Sequence, residues 1–432
     1  MRDLLAGAGV RRLLASRLAA QWGDGVFQAG LAGAVLFNPE RAADPTAIAA
    51  GFTVLLLPYS IVGPFAGALL DRWDRRRVLT VANLLRGVLI LLTALAVGRG
   101  LAGFWLYAGA LIAVGISRFV NAGLSAALPH VVPERDLVAA NALLATLGAA
   151  TSVFGAACAV GLRAAFGPDN TGSAWVTVVS VVGSLFGAFF AARFKLGSLG
   201  PDNVNETKEA IAAIARGLVD GGRAALRAPR VAAGFVALFA HRAAYGAGLM
   251  ITVLLLRYSF HDMGPLRAGM AGLGEVAVAG GVGLLIAGLA TARVVRWLGR
   301  GRAVCAALIV AAATQVGLGL PMTLPTILIA AFLLTAAGQL VKLCVDSAVQ
   351  QDIADDTRGR VFALYDTLFN ITEVVAVALT ALVVPLSGRA PHLVLAATAL
   401  YLVGMVGYLA VMRFSRHPVP GVASTTAQPV EE

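Results

Sequence analysis

Gly67-Ala68-Leu69-Leu70-Asp71-Arg72-Trp73-Asp74-Arg75-Arg76-Arg77 is a short run of charge wedged between two long apolar stretches, and its reading decides the fold. Four arginines in six residues cannot sit in hydrocarbon, so the run reads as a tight loop joining two membrane helices on the side where basic residues collect. Shifting the sequence against itself by about 224 residues places Arg296 and Trp297 on Arg72 and Trp73, and the basic run Arg293, Arg296, Arg300, Arg302 on this loop. The same shift brings Lys342 onto Arg118, His241 onto Arg17, and Ala243-Ala244 onto Ala19-Ala20. Matches at one offset, each between equivalent apolar runs, read as two similar halves. The second copy is degenerate, with Val295 where the first has Asp71.

Composition fixes the solvent. Hydrophobic residues make up 59% of the 432-residue chain and charged ones 13%, whereas soluble domains carry about a quarter charged; mean hydropathy is +0.82. Twelve apolar runs of roughly 20 residues or more lie between residues 13 and 412. With the amino terminus on the cytoplasmic side, the inside segments hold Arg2, Arg11 and Arg12, the 72–77 cluster, the 193–230 cluster, the 293–302 cluster, Arg358, Arg360, Arg413 and Arg416. The outside loops hold only Arg41, Arg99, Arg163, Arg257, Arg267 and Arg389. That bias predicts a multi-pass protein of the inner (plasma) membrane with both termini cytoplasmic. The net charge of +11 then reports topology and contact with anionic membrane lipids, not nucleic acid. Cys158, Cys305 and Cys344 all fall within apolar runs, which argues against a disulfide framework or a metal site. No P-loop, His-Glu-x-x-His or nucleophile elbow is present, so no enzyme and no cofactor is expected.

Read as Gly-x-Leu-x-Asp-Arg-x-x-Arg-Arg, residues 67–76 resemble motif A of the major facilitator superfamily, although Asp74 stands where the family prefers Gly. Residues 127–142 further resemble the loop after the fourth span in the drug and siderophore exporter branch. The resemblance implies an all-α membrane protein of twelve transmembrane helices in two pseudo-symmetric six-helix bundles. It divides the chain into an N-terminal bundle at 1–194, a cytoplasmic linker at 195–230, a C-terminal bundle at 231–414 and a disordered tail at 415–432. Within the linker, Ile211, Ile214, Leu218, Val219, Ala225 and Leu226 recur at helical spacing and predict an amphipathic surface helix. The expected state is a monomer.

Ionisable residues inside the spans carry the chemistry: Arg17, Asp24, Arg86, Arg118, Arg242, Glu275, Lys342, Asp346, Asp366 and Glu373. At about 2.5–3.5 kcal/mol each, exposing all of them to lipid would cost on the order of 25–35 kcal/mol, more than marginal stability can absorb. Most must face one another or a wet cavity, while Arg17 and Arg86, nearer span ends, have the option of snorkelling. Lys342 and Asp346 stand at i, i+4 and can pair. Asp366, Asn370 and Glu373 form one stripe, Asp24 is flanked by Gln21 and Gln28, and Asn121 lies three residues after Arg118. In the superfamily, spans 1, 4, 7 and 10 line the central cavity. The resemblance therefore implies a substrate and proton site from Asp24, Gln28, Arg118, Asn121, His241, Arg242, Lys342, Asp346, Asp366, Asn370 and Glu373. Arg118 resembles motif B, while the fifth span has Gly148, Gly155 and Gly161 but no Gly-Pro pair, so its antiporter motif is partial. Gly67, Asp71, Arg72, Arg75 and Arg76 would form a cytoplasmic gate, Asp71 at the start of the eleventh span and the arginines against Asp352, Asp355 or Asp356. Three functions fit: proton-coupled export of a hydrophobic or amphipathic small molecule by alternating access, a lysophospholipid flippase or facilitator needing no proton, or a non-transporting receptor or assembly partner.

Overall fold

The protein is described here by a computed structural model covering residues 7–38, 44–70, 73–101, 103–133, 137–200 and 207–414. Asp71, Arg72 and the 415–432 tail lie outside these residues. The described chain is almost entirely helical: α1 (Ala8–Leu36), α2 (Pro45–Leu70), α3 (Arg75–Gly98), α4 (Phe104–Ala127), α5 (Leu137–Phe166), α6 (Asn170–Ala192) and a connecting α7 (Thr207–Arg227) come first. Then follow α8 (Pro229–Leu254), α9 (Gly269–Leu298), α10 (Arg300–Thr314), α11 (Leu324–Asp352), α12 (Asp355–Ala381) and α13 (Pro391–Phe414). Among the described residues ten helices are long and apolar enough to cross a membrane, two fewer than the twelve expected. The two not counted are α1 and α2, of 29 and 26 residues, which exceed the roughly 20 a span requires. Gln21, Asp24 and Gln28 dilute the apolar run of α1, while α2 carries no charged residue from Pro45 to Leu70.

Helix ends are set by local chemistry. Asp74 has φ −51°, so no left-handed turn is needed where the family prefers Gly, and its side chain accepts from the Arg77 N–H to cap α3. Asp44 caps α2 the same way; bonds from the Ala47 N–H (2.7 Å) and the Thr46 hydroxyl (2.8 Å) hold its carboxyl below the usual range.

Close crossings rest on glycine. A Cβ added to Gly25 of α1 would lie 2.0 Å from the Ser152 carbonyl oxygen of α5, and one on Gly155 would lie 2.3 Å from the Trp22 carbonyl. Backbone meets backbone there, as small residues allow in membranes. A Gly155→Val protein is therefore expected to lose about 1–3 kcal/mol through overpacking, read as a lower melting temperature in detergent, whereas Gly161→Ala, with nothing within 4 Å, should match wild type. Equal melting of both variants would mean the α1–α5 crossing is looser than described.

The apolar core is distributed unevenly along the bundle axis. At the end opposite the basic loops one cluster joins the halves: Phe27, Leu31 and Leu36 of α1 and Ile48 and Phe52 of α2 share it with Met250 and Leu254 of α8 and Val377 and Ala381 of α12. Among the described side chains, those at the basic end form two separate clusters. Leu13, Leu79, Leu124 and Leu144 belong to one, and Val231, Leu308, Val341 and Tyr365 to the other. The connecting helix α7 packs on the first turns of α12, where a Cβ on Gly221 would meet the Arg360 backbone at 2.9 Å, and Asp220 pairs with Arg360 at 3.8 Å.

Candidate functional site

Polar side chains gather in three places along the bundle. In the N-terminal half, Asp24 of α1 and Arg86 of α3 form an ion pair at 2.8 Å, with residue exposures of 2% and 0%. Arg86 Nε donates to Ser184 of α6 at 2.9 Å and Nη1 to Ser117 of α4 at 3.4 Å. One guanidinium thus ties four helices together. Gly183 permits it: a Cβ there would lie 2.6 Å from the Gly23 Cα, so α6 and α1 touch beside the pair. Two sequence expectations need correction. Arg86 does not snorkel, because α3 carries it midway along its length into the bundle interior. Nor does Asp24 line an open cavity, since its side chain turns toward α3 and away from the other half.

The second place is α1 against α4. Arg17 Nη1 donates to Ser125 Oγ at 3.1 Å, and Gln21 Nε2 to Asn121 Oδ1 at 3.2 Å. Arg118 and Gln28 are half-buried. Gln21 and Arg17 lie one and two turns toward the basic end from Asp24, Arg118 follows Ser117 at Asp24's depth, and Gln28 lies one turn the other way.

The C-terminal half holds two further ion pairs. Arg242 of α8 pairs with Glu373 of α12, and its guanidinium stacks over the Phe369 ring at 4.0 Å. Glu373 is buried while Arg242 keeps partial access. Lys342 and Asp346 of α11 pair at 2.9 Å with both side chains part-exposed, and Lys342 Nζ lies 5.2 Å from the centre of the Tyr365 ring. The predicted stripe on α12 divides. Asp366 is exposed, and Asn370 donates to the Asp366 carbonyl at 2.8 Å, while Glu373 turns inward to Arg242. His241 is not a cavity group: it is buried, with Nε2 3.1 Å from the Leu334 carbonyl and its ring 5.2 Å from that of Tyr401. Packing between α8, α11 and α13 explains it, and Gly338 makes room, since a Cβ there would fall 2.4 Å from the imidazole.

At the basic end two of the expected gate arginines bond backbone carbonyls. Arg75 Nη1 bonds the carbonyls of Ala126 (3.0 Å) and Leu199 (3.3 Å), and Arg76 Nη2 that of Ala192 (2.9 Å), all within their own half. The carbonyl ends of α4 and α6 are where a helix dipole favours cations. Asp352 is occupied by Arg230 at 3.5 Å. Gly67 lies in the last turns of α2, and the Asp71 and Arg72 expectations fall outside the described residues.

Sequence reading passed over the clasp at the other end. Arg257, in a π-helical turn after α8, donates to the Leu36 carbonyl and, at 3.1 Å, to that of Asn38. Arg163 of α5 reaches the Phe37 carbonyl at 3.0 Å and Ser173 at 2.6 Å. Both cations therefore sit on the carboxyl end of α1, and Arg257 does so from the opposite half.

Such an arrangement, fused at one end, split at the other, with ion pairs at mid-depth, can bind a polar group and exchange it between partners. The sequence profile described as Major Facilitator Superfamily matches residues 14–377. The chain is 42% identical over 409 residues to an uncharacterized MFS-type transporter of Mycobacterium tuberculosis, covering 93% of this chain and 91% of the relative, and equally so to one of Mycobacterium bovis. Among solved structures it resembles the nucleoside transporter NupG, with TM-score 0.69 and 10% identity over 93% of this chain and 99% of that one. It also resembles a POT family transporter in complex with a thioalcohol-conjugated peptide, with TM-score 0.64 and 16% identity over 93% and 96%.

Proposed function

The chain belongs to the major facilitator superfamily and is a multi-pass membrane transporter, not an enzyme, and from that premise we propose that it exports a hydrophobic or amphipathic small molecule in exchange for protons. The observation that carries this reading is the pair of ion pairs at membrane depth, Lys342–Asp346 and Arg242–Glu373, each with a part-exposed cation, beside a core that is split at the basic end. Positive-inside charge supports a cytoplasmic position for that end, the side on which separate clusters would let the halves part. A carboxylate in such a pair has two ways to be satisfied, by its cation or by a proton. A cationic or hydrogen-bond-donating substrate and a proton compete for the same carboxylate, Asp346 or Glu373, so each displaces the other, and alternate rocking of the halves carries substrate outward and the proton inward. One proton crossing about 100 mV supplies about 2.3 kcal/mol, enough for a gradient of roughly fiftyfold.

Reconstituted protein given an imposed pH gradient should accumulate a lipophilic cationic dye such as ethidium. Asp346→Asn and Glu373→Gln should each lower the gradient-driven rate at least tenfold while leaving dye exchange at equal pH measurable. Transport unaffected by an uncoupler and by both substitutions would remove proton coupling from the account. Labelled lysophospholipid crossing without a gradient would replace it with facilitated lipid movement.

A further inference from the structure

The degenerate second copy of the basic loop differs from the first in a way that leaves positive charge open. At the offset of about 224, Asp71 falls on Val295 and Asp74 on Leu298, whereas Arg72 and Arg76 fall on Arg296 and Arg300. Both carboxylates are lost, while two of the four arginines are kept, Arg75 and Arg77 falling on Gly299 and Gly301. In the first copy Asp74 caps its helix and Arg76 is held by the Ala192 carbonyl. In the second, Arg300 has among the described residues only neutral hydrogen-bond partners, Ser347 Oγ at 3.1 Å and Gln351 Oε1 at 2.7 Å, and Arg302 is exposed.

Arg300 edges a cleft of about 420 Å³ between α8, α10, α11 and α13 that Arg230 of α8 also lines. Through Gly301, Tyr408 and Met412 the cleft continues into a groove of about 590 Å³ on the surface of α10 and α13, where Arg302 stands at the mouth and Ile309, Met405 and Leu409 form the apolar floor. The acid at the rim is Asp352, already paired with Arg230 at 3.5 Å, so Arg230, Arg300 and Arg302 outnumber it. We propose that this cleft and groove bind one anionic phospholipid from the leaflet on the basic side, its phosphate at Arg230 and Arg300 in the cleft, with Arg302 at the mouth of the groove and an acyl chain along α10 and α13. Guanidinium forks match phosphate oxygens in pairs, and the continuity of charge with a membrane-facing apolar groove selects a lipid over a soluble phosphate. Nothing in the transport cycle above uses this site, which lies on the far side of the C-terminal half from the seam.

Trp297 reports on it: its ring is 72% exposed, with Arg293 over it at 4.7 Å. In a full-length protein retaining Trp297 alone, with Trp22, Trp73, Trp105 and Trp175 changed to Phe, fluorescence is read in phosphatidylcholine vesicles. A fixed minority of lipid carries brominated chains, on phosphatidylglycerol or on phosphatidylcholine. At roughly 1 kcal/mol per arginine near a membrane surface, brominated phosphatidylglycerol should quench as if enriched about fivefold or more. Arg300→Gln with Arg302→Gln should reduce that preference to about twofold or less on the same scale. Ala306→Phe, which fills the groove without touching a charge, should reduce it as well. Equal quenching by the two lipids, or a preference that survives the arginine changes, overturns the proposal. A preference lost with the arginines but kept with Ala306→Phe overturns the seated chain in favour of diffuse surface attraction. Displacement by millimolar inorganic phosphate, but not by chloride at equal ionic strength, overturns the lipid in favour of a soluble anion.

Discussion

Arg86→Met is expected to yield almost no monodisperse protein, although the change is apolar and lies inside a membrane helix. Hydropathy alone predicts the opposite, since removing a cation from a span favours insertion. The geometry reverses this. Asp24 would be left in the bundle interior, 2% exposed, with its guanidinium gone and the Ser184 and Ser117 hydroxyls unable to replace the lost charge. Removing one member of a buried pair costs about 3–5 kcal/mol, whereas replacing both members by apolar residues is often neutral or stabilising. The loss is comparable to the whole stability of many proteins. Asp24→Leu combined with Arg86→Met should therefore restore folded protein that neither single change gives. Size-exclusion profiles and thermal melts of the three variants check this, and a single Arg86→Met protein as stable as wild type would show the pair to be inert. The double variant also separates two roles for Asp24. If it transports with its pH dependence intact, the pair is architectural; if it folds but has lost gradient-driven transport, Asp24 takes a proton in the cycle.

That pair marks the boundary of what the sequence carries. The helices were readable because hydrocarbon leaves the backbone no partner but itself, so each apolar run longer than about 20 residues must be helical. Lys342 and Asp346 were readable as a pair because both lie on one helix four residues apart. Asp24 and Arg86 are 62 residues apart on different helices, and no periodicity connects them; Arg86 looked like a span-end residue because only its distance along the chain was visible. The same limit explains the α12 stripe, whose members share a face but divide according to what α8 and α11 present to it, Glu373 toward Arg242 and Asp366 into the open. Backbone acceptors are harder still to foresee. Arg75 and Arg76 were assigned carboxylates across a gate and also hold carbonyls of their own half, and Arg163 and Arg257 counted only as two of the few outside charges. Carbonyl ends of helices attract cations at every terminus, so the sequence shows the donors without showing which end they reach.

Arg257→Met should open the end opposite the basic loops. The guanidinium crosses from the C-terminal half to the last carbonyls of α1, Leu36 and Asn38, while Arg163 holds the neighbouring Phe37 from within the N-terminal half. Only the first of these contacts must break when the halves part, because the second travels with α1. A charge-assisted hydrogen bond contributes about 1.5–3 kcal/mol, so its loss should raise the population open on that side by roughly ten- to a hundredfold at constant apolar contact. Beneath the clasp lies the joined core of Phe27, Leu31, Met250 and Leu254, which a membrane-impermeant maleimide reaches only when the halves separate. In a protein with Cys158, Cys305 and Cys344 changed to Ala and Leu31→Cys as the reporter, labelling from that side should be at least tenfold faster with Arg257→Met than without it. Arg163→Met should alter the labelling rate far less, even though it removes a cation from the same helix end. Should the two substitutions accelerate labelling equally, the effect would come from loss of charge around the end of α1, and the contact between halves would not be what keeps this side shut.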